Sequence, residues 1–170
     1  MSKCVTVNTV DLLPIVLLHI DFFFLDTYSN CGFTTVLLII DAKIRNLWKF
    51  SISGKKSPLT IFQFFLTQMK RTGRPVLHIR TDMGGELVGP NESCKLLHTS
   101  FQYGLYMTGG YSFWLNGKAE RHIRTLENME RKTRCDTKMP KTLWCLSLDH
   151  VVNIYDSLFH STTLESPYFL

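Results

Sequence analysis

The chain has 170 residues, of which 45% are hydrophobic, enough for one domain with a core of its own. Its formal net charge of +5 suits a polyanionic partner without demanding one. Five cysteines (Cys4, Cys31, Cys94, Cys135, Cys145) make an odd number with no C-x-x-C pair; this argues against a disulfide framework or a structural zinc site, and for free thiols in a reducing compartment.

No segment is predicted to cross a membrane. The apolar run at residues 12–25 is broken by Pro14, His19 and Asp21, and that at 33–40 is only strand length. Asp11 interrupts the N-terminal apolar stretch, which argues against a signal peptide and predicts a soluble, intracellular protein. Residues 1–12 carry no clear pattern and stay unassigned, while 13–170 are expected to form one unit.

Residues 15–25, rich in β-branched and aromatic side chains, read as a first strand containing Asp21. Thr27 to Gly32 has turn chemistry. Residues 33–40 read as a second, fully buried strand, and 44–52, with Trp48 and Phe50, as a third. Short connections make these three most simply antiparallel. Ser57-Pro58 starts a helix that runs to about Arg71, with Leu59, Phe62, Phe65, Leu66 and Met69 at helical spacing and Gly73 as its stop.

A strand at 75–81 follows and ends in Asp82. Residues 91–100 predict a short helix and 103–108 a fifth strand. Gly109-Gly110-Tyr111-Ser112 then opens a flexible loop before a basic helix that starts near Asn116 and carries Glu120. A last helix spans 141–158. Three meandering strands, a helical crossover, then strand and helix in alternation predict an α/β domain. Its outline is that of a ribonuclease H-like fold, a mixed five-stranded sheet flanked by helices.

Two strand-borne aspartates, Asp21 and Asp82, and the helix-borne Glu120 are candidates to converge on divalent ions. Phosphodiester chemistry needs an activated nucleophile, a stabilised leaving oxygen and an offset to phosphate charge, and two divalent ions supply all three. Mg²⁺ or Mn²⁺ takes oxygen ligands, with one or two carboxylates per ion. An acid amid Ile20, Phe22, Phe23 and Phe24 is otherwise costly. A frayed strand end or a salt bridge also accounts for a lone strand aspartate, and Asp26, Asp41 and Glu86 are rivals.

Along the helix, at about 100° per residue, Arg124, Glu127 and Arg131 share the face of Glu120, while Ala119, Ile123, Leu126 and Met129 turn toward the sheet. The polar face either carries ion pairs, Glu120–Arg124 and Glu127–Arg131 among them, or meets phosphates, or both. Tyr111, Phe113 and Trp114, placed in the preceding loop, stack on bases or cover the helix.

Several stretches then align in order. They are Leu18-His19-Ile20-Asp21-Phe22, Ile39-Ile40-Asp41-Ala42-Lys43, Arg80-Thr81-Asp82-Met83-Gly84-Gly85-Glu86-Leu87 and Asn116-Gly117-Lys118-Ala119-Glu120-Arg121, with Pro140 to Trp144 and Ser166-Pro167-Tyr168 toward the end. Together they resemble the catalytic core of a retroelement integrase, of the copia-type retrotransposon branch, across residues 16–168. The resemblance implies that Asp21, Asp82 and Glu120 are catalytic residues and ligands of a two-metal Mg²⁺ or Mn²⁺ site. It implies processing of element cDNA ends and their transfer into target DNA. The DNA-binding candidates are Asn116, Lys118, Arg121, Arg124 and Arg131, and the positions of Arg121 and Arg124 adjoin the family's DNA-end contacts. It also implies a homo-oligomer, since joining two ends takes more than one active site, and a nuclear as well as cytoplasmic location, with no membrane partner.

The match breaks in places. Phe113, Trp114 and Leu115 stand where the family usually has Pro and Gln, Met83 follows Asp82 where it has Asn, and Tyr155-Asp156 stand for Asn-Arg. The family's His-His-Cys-Cys zinc-binding segment and its C-terminal DNA-binding extension are not in this sequence. Two readings stay open: a competent polynucleotidyl transferase and endonuclease, or a degraded or repurposed remnant that keeps the fold, and DNA binding or self-association, without turnover. A nuclease acting on RNA–DNA hybrids is a third, and the stretch from Asn116 to Arg121 argues against it.

Overall fold

The computed structural model describes residues 15–53, 58–82, 92–108, 113–158, 160 and 166–167, with the backbone alone at 82, 92, 93, 108, 113–116 and 118. Strands β1 (Leu17–Phe24), β2 (Thr35–Asp41) and β3 (Leu47–Ile52) come first, then helix α1 (Leu59–Arg71). Strand β4 (His78–Asp82), helix α2 (Glu92–Phe101), strand β5 (Gly104–Thr108) and the long helix α3 (Phe113–Asp136) follow. A 3₁₀ turn (Lys141–Leu143) leads into helix α4 (Trp144–Ser157). The sheet order is β3-β2-β1-β4-β5. β1, β2 and β3 form the expected antiparallel meander, while β4 runs parallel to β1 and β5 parallel to β4. Parallel neighbours cannot be joined by a hairpin, and α1 and α2 provide the crossovers.

Every residue of β2 is buried, as a strand covered on both faces should be. Its period of two splits the core. Leu37 and Ile39, with Leu18, Ile20 and Ile79, pack on Leu59, Phe62, Phe65 and Leu66 of α1 and on Cys94 and Leu97 of α2. Val36, Leu38 and Ile40, with Phe23 and Leu47, pack on Ala119 and Leu126 of α3 and on Trp144, Leu148 and Val151 of α4. Each large side chain buried in this way stabilises the fold by about 1.5–3 kcal/mol. Helix α1 ends as its glycine predicts: Gly73 has φ 74°, and its N–H donates to the Lys70 carbonyl at 3.2 Å.

Helix α4 is tied to the sheet edge and to the β1–β2 turn. Lys49 Nζ sits 2.6 Å from Asp149 Oδ1 and donates to the Cys145 carbonyl at 3.2 Å. The Leu47 N–H donates to Asp156 Oδ1 at 3.0 Å, and Trp144 Nε1 donates to the Thr27 carbonyl at 2.9 Å.

Three boundaries differ from expectation. β1 begins at Leu17 because Ile15 takes a left-handed φ of 65°. β3 begins at Leu47 because the Asp41 carboxylate holds a turn. Its Oδ1 accepts the N–H groups of Lys43 (2.7 Å) and Ile44 (3.0 Å), its Oδ2 that of Ile15, and Arg45 has φ 68°. Helix α3 begins at Phe113, so Phe113, Trp114 and Gly117 belong to the helix and not to a loop before it. Residues 1–14, the Met83 to Leu87 stretch and the loop of Gly109, Gly110, Tyr111 and Ser112 lie outside the described residues. Among the described residues Cys31, Cys94, Cys135 and Cys145 form no disulfide. Among the described residues no helix is long and apolar enough to cross a membrane.

Candidate metal and nucleic-acid site

The parallel register of β1 and β4 sets the two aspartates side by side. Ile20 pairs with Thr81, so one step further Asp21 and Asp82 occupy neighbouring positions on adjacent strands, whose backbones run about 4.8 Å apart. Asp21 also pairs across β2 with Leu38 and alternates with Phe23, both members of the core packed under α3 and α4. It therefore belongs to that face of the sheet. Its side chain is buried (8% exposed), and its Oδ1 accepts the N–H of Phe22 at 2.8 Å.

Helix α3 lies across the same face, in contact with β1, β4 and β5. Ala119 is fully buried and pins the helix there; Glu120, next in sequence, is exposed. Register thus brings Asp21 and Asp82 together, and α3 carries Glu120 to the solvent side of the layer above them.

Among the described residues no three His, Cys, Asp or Glu side chains gather closely enough to hold an ion, and the Asp82 side chain is outside that description. The donor set fits a hard divalent cation. A carboxylate in an apolar strand, with a second acidic position beside it, is costly to ionise unless positive charge offsets it. Oxygen donors from only one or two carboxylates suffice for Mg²⁺ or Mn²⁺.

The rival acids separate cleanly. Asp41 is 0% exposed, and both its carboxylate oxygens are engaged by the main-chain N–H groups of the turn it holds, so its role is structural. Asp26 is exposed, just past the end of β1. Glu86 lies outside the described residues.

Of the DNA-binding candidates, Arg121, Arg124 and Arg131 are exposed along α3, and Asn116 and Lys118 fall in its first two turns. The expected ion pairs Glu120–Arg124 and Glu127–Arg131 are replaced by one further along the helix. Arg134 Nε meets Glu130 Oε1 at 3.0 Å, with both side chains largely buried, so partial desolvation favours the pairing there.

Sequence reading passed over a set of rings and cations on this same face. His19, buried, pairs across the β1–β4 ladder with Arg80, one pleat before the two aspartates. The Arg80 guanidinium lies 6.0 Å from the Tyr106 ring centroid, within cation–π range, and His78 lies 5.3 Å from the same ring. His78 has room only because residue 104 is glycine: a Cβ there would come within 2.5 Å of His78 Nδ1. On the helix side, His122 meets Tyr155 of α4 edge to face at 5.9 Å. The signal was present as period two. His19 and Arg80 each stand two residues before an aspartate, and hence on its face.

No protein-family model matches the sequence, and no curated protein matches it. Solved structures do match. A chain of the simian T-cell lymphotropic virus intasome, in complex with PP2A regulatory subunit B56 gamma, superposes with a TM-score of 0.75 at 16% identity over 95% of this chain. The present chain spans 55% of that one. The catalytic core domain of HTLV-2 integrase in complex with magnesium, in a trimeric form, gives a TM-score of 0.68 at 17% identity, covering 93% of this chain and 97% of its own. The catalytic core domain of BIV integrase gives 0.62 at 16% identity, covering 91% and 92%. At such identities the likeness is one of architecture, and in architecture this chain has the ribonuclease H-like fold of an integrase catalytic core.

Proposed function

We propose that this chain is the metal-dependent DNA-processing and strand-transfer core of a retrotransposon integrase of the copia branch. The observation that carries the reading is the β1–β4 register, which stands Asp21 beside Asp82 under the helix that bears Glu120. The fold is similar to that of integrase catalytic core domains, one of them solved in complex with magnesium, which supports the reading. The copia assignment rests on the sequence stretches around Asp21, Asp82 and Glu120.

In this reading Asp21 and Asp82 hold one Mg²⁺ or Mn²⁺ jointly, and Asp21 and Glu120 hold a second. The chemistry such ions supply when bound is activation of the attacking oxygen and stabilisation of the leaving one. The chain's own contribution is placement. Two of the acids sit on neighbouring inner strands of the sheet, whose backbone pairing sets their positions side by side before substrate arrives. Arg121, Arg124 and Arg131 line the exposed face of α3, where they orient a phosphate backbone for in-line attack by water or by a DNA 3′-hydroxyl. Self-association, needed to join two ends, and an intracellular, nuclear site of action belong to the same proposal.

The test is Mn²⁺-dependent strand reversal on a labelled branched DNA, with the wild type beside Glu120→Gln and Asp82→Asn. The wild type should release the labelled strand, and each variant should lose about a thousandfold or more in rate while keeping the wild-type circular dichroism. Unchanged activity in Asp82→Asn would sink the assignment. A folded wild type with neither activity nor Mn²⁺ binding would instead identify a catalytically dead remnant.

A further inference from the structure

A cavity of about 250 Å³ opens further along α3, and among the described residues its lining includes neither Asp21 nor Glu120. It lies between the end of β1, the second half of α3 and the start of α4. Its floor is apolar, formed by Phe23, Leu148 and the Trp144 indole, whose N–H is already spent on the Thr27 carbonyl. Of the charged groups on its wall, Glu130 and Arg134 neutralise each other. That leaves Asp26 and Glu127 as acceptors and Arg131 and Lys141 as donors.

This balance narrows the ligand. A free phosphate would meet two carboxylates and a metal cation two basic side chains, so neither is matched. A flat, neutral ring with both donors and acceptors on its edge matches floor and wall alike, and nucleobases have that chemistry. Carboxylates accept from exocyclic amines, Arg and Lys donate to ring nitrogens and carbonyl oxygens, and an apolar floor takes the faces of the ring out of water.

The helix supplies the route. Glu127 and Arg131 lie seven and eleven residues beyond Glu120, each within about 20° of its direction around the helix. The stripe that starts at the acids therefore enters the cavity about 10 Å further on, roughly three base steps along a stacked strand.

We infer that the cavity receives one unpaired nucleobase, splayed from a DNA strand that runs along α3 from the acidic site. The inference rests on the DNA reading of that helix. A base at a frayed end costs least to extrude, which suits a cavity so close to the site of end processing.

The test uses ¹⁵N-labelled protein without divalent ions, titrated with a short single-stranded oligonucleotide and with an abasic strand of equal length. The Trp144 indole signal reports on the cavity; that of Trp48, packed on the opposite face of the sheet against Phe65, is the control. Both strands should bind, the base-bearing one roughly tenfold more tightly, and only it should move the Trp144 signal. Glu127→Leu and Asp26→Leu should each reduce that preference several-fold without weakening abasic binding, since each removes a negative charge beside the phosphates. Equal shifts from both strands would overturn the inference in favour of phosphate contact alone. Binding with Trp144 unmoved would overturn it and leave the DNA reading intact. Binding of neither strand would bring down the DNA reading as well, and a Trp144 shift with an arginine-rich peptide in place of DNA would reassign the cavity to a protein partner.

Discussion

Asp41, Asp21 and Asp156, all buried or partly buried, sit in three different environments. Asp41 takes N–H groups from Ile15, Lys43 and Ile44 and serves as a turn cap. Asp21 accepts the Phe22 N–H and stands beside a second acid. Asp156 accepts that of Leu47, and burial pushes its carboxyl up to about 7, with the Leu47 hydrogen bond opposing the rise. A raised carboxyl favours the protonated form in the folded state. The stability it confers is complete below the ordinary carboxylate range, near pH 4, and is lost as pH climbs to about 7. Asp156→Asn keeps an acceptor for the Leu47 N–H and removes the ionisation. It should therefore match the wild type near pH 4 and exceed it at pH 8. The gain is on the order of 1 kcal/mol after discounting for solvent screening, read as a melting temperature about 2–4 °C higher. A gain at pH 4 as large as at pH 8 would refute this origin. Sequence marks Tyr155-Asp156 only as a departure from a family pattern. That Asp156 holds the start of a strand 109 residues away is a tertiary fact that no local pattern carries.

Between elements, one of the ties that fasten α4 to edge strand β3 is a buried cation. The Lys49 side chain is 5% exposed whereas its partner Asp149 is 56% exposed, so the two ends of the pair are unequal. Removing the carboxylate leaves a desolvated ammonium with only the Cys145 carbonyl, and Asp149→Ala should cost about 1–3 kcal/mol. Removing the cation leaves no buried charge, and Lys49→Met should be near neutral or stabilising. Urea denaturation of the two variants decides it, and the opposite ranking would show that the pair contributes through its surface half. Which face of α3 packs was legible, because Ala119 and Leu126 repeat at helical spacing and both are buried. Where α3 begins was not: Ser112 and Asn116 are both capping residue types, and the apolar Phe113, Trp114 and Leu115 between them suit loop and helix alike. The start of β3 was misplaced for another reason. A side chain–backbone turn at Asp41 competes with strand pairing, and apolar patterning does not register it.

At the scale of the whole molecule, the order of elements and the layered core could be read from alternating apolar patterns, and the candidate acids from short motifs. The register that stands Asp21 beside Asp82 could not, since parallel pairing across a helical crossover leaves no local trace. If the acids bind Mn²⁺ only in this arrangement, the ion binds the folded chain in preference to the unfolded one. At a hundredfold excess over its dissociation constant it should add about 2.7 kcal/mol, or roughly 5–10 °C in melting temperature. Asp82→Asn should abolish that shift and Glu120→Gln reduce it; an equal shift in all three proteins would place the ion elsewhere. The same pairing has a consequence for synthesis. A nascent chain that has emerged only as far as α1 can close the β1–β2–β3 meander from neighbouring segments, yet it holds half a site. The β4 strand must arrive and settle beside β1, a slow, long-separation step, before the acids meet. On the proposed function, any cutting activity would therefore arise only once the whole topology is in place, and the unfinished chain would be harmless to nucleic acid around it.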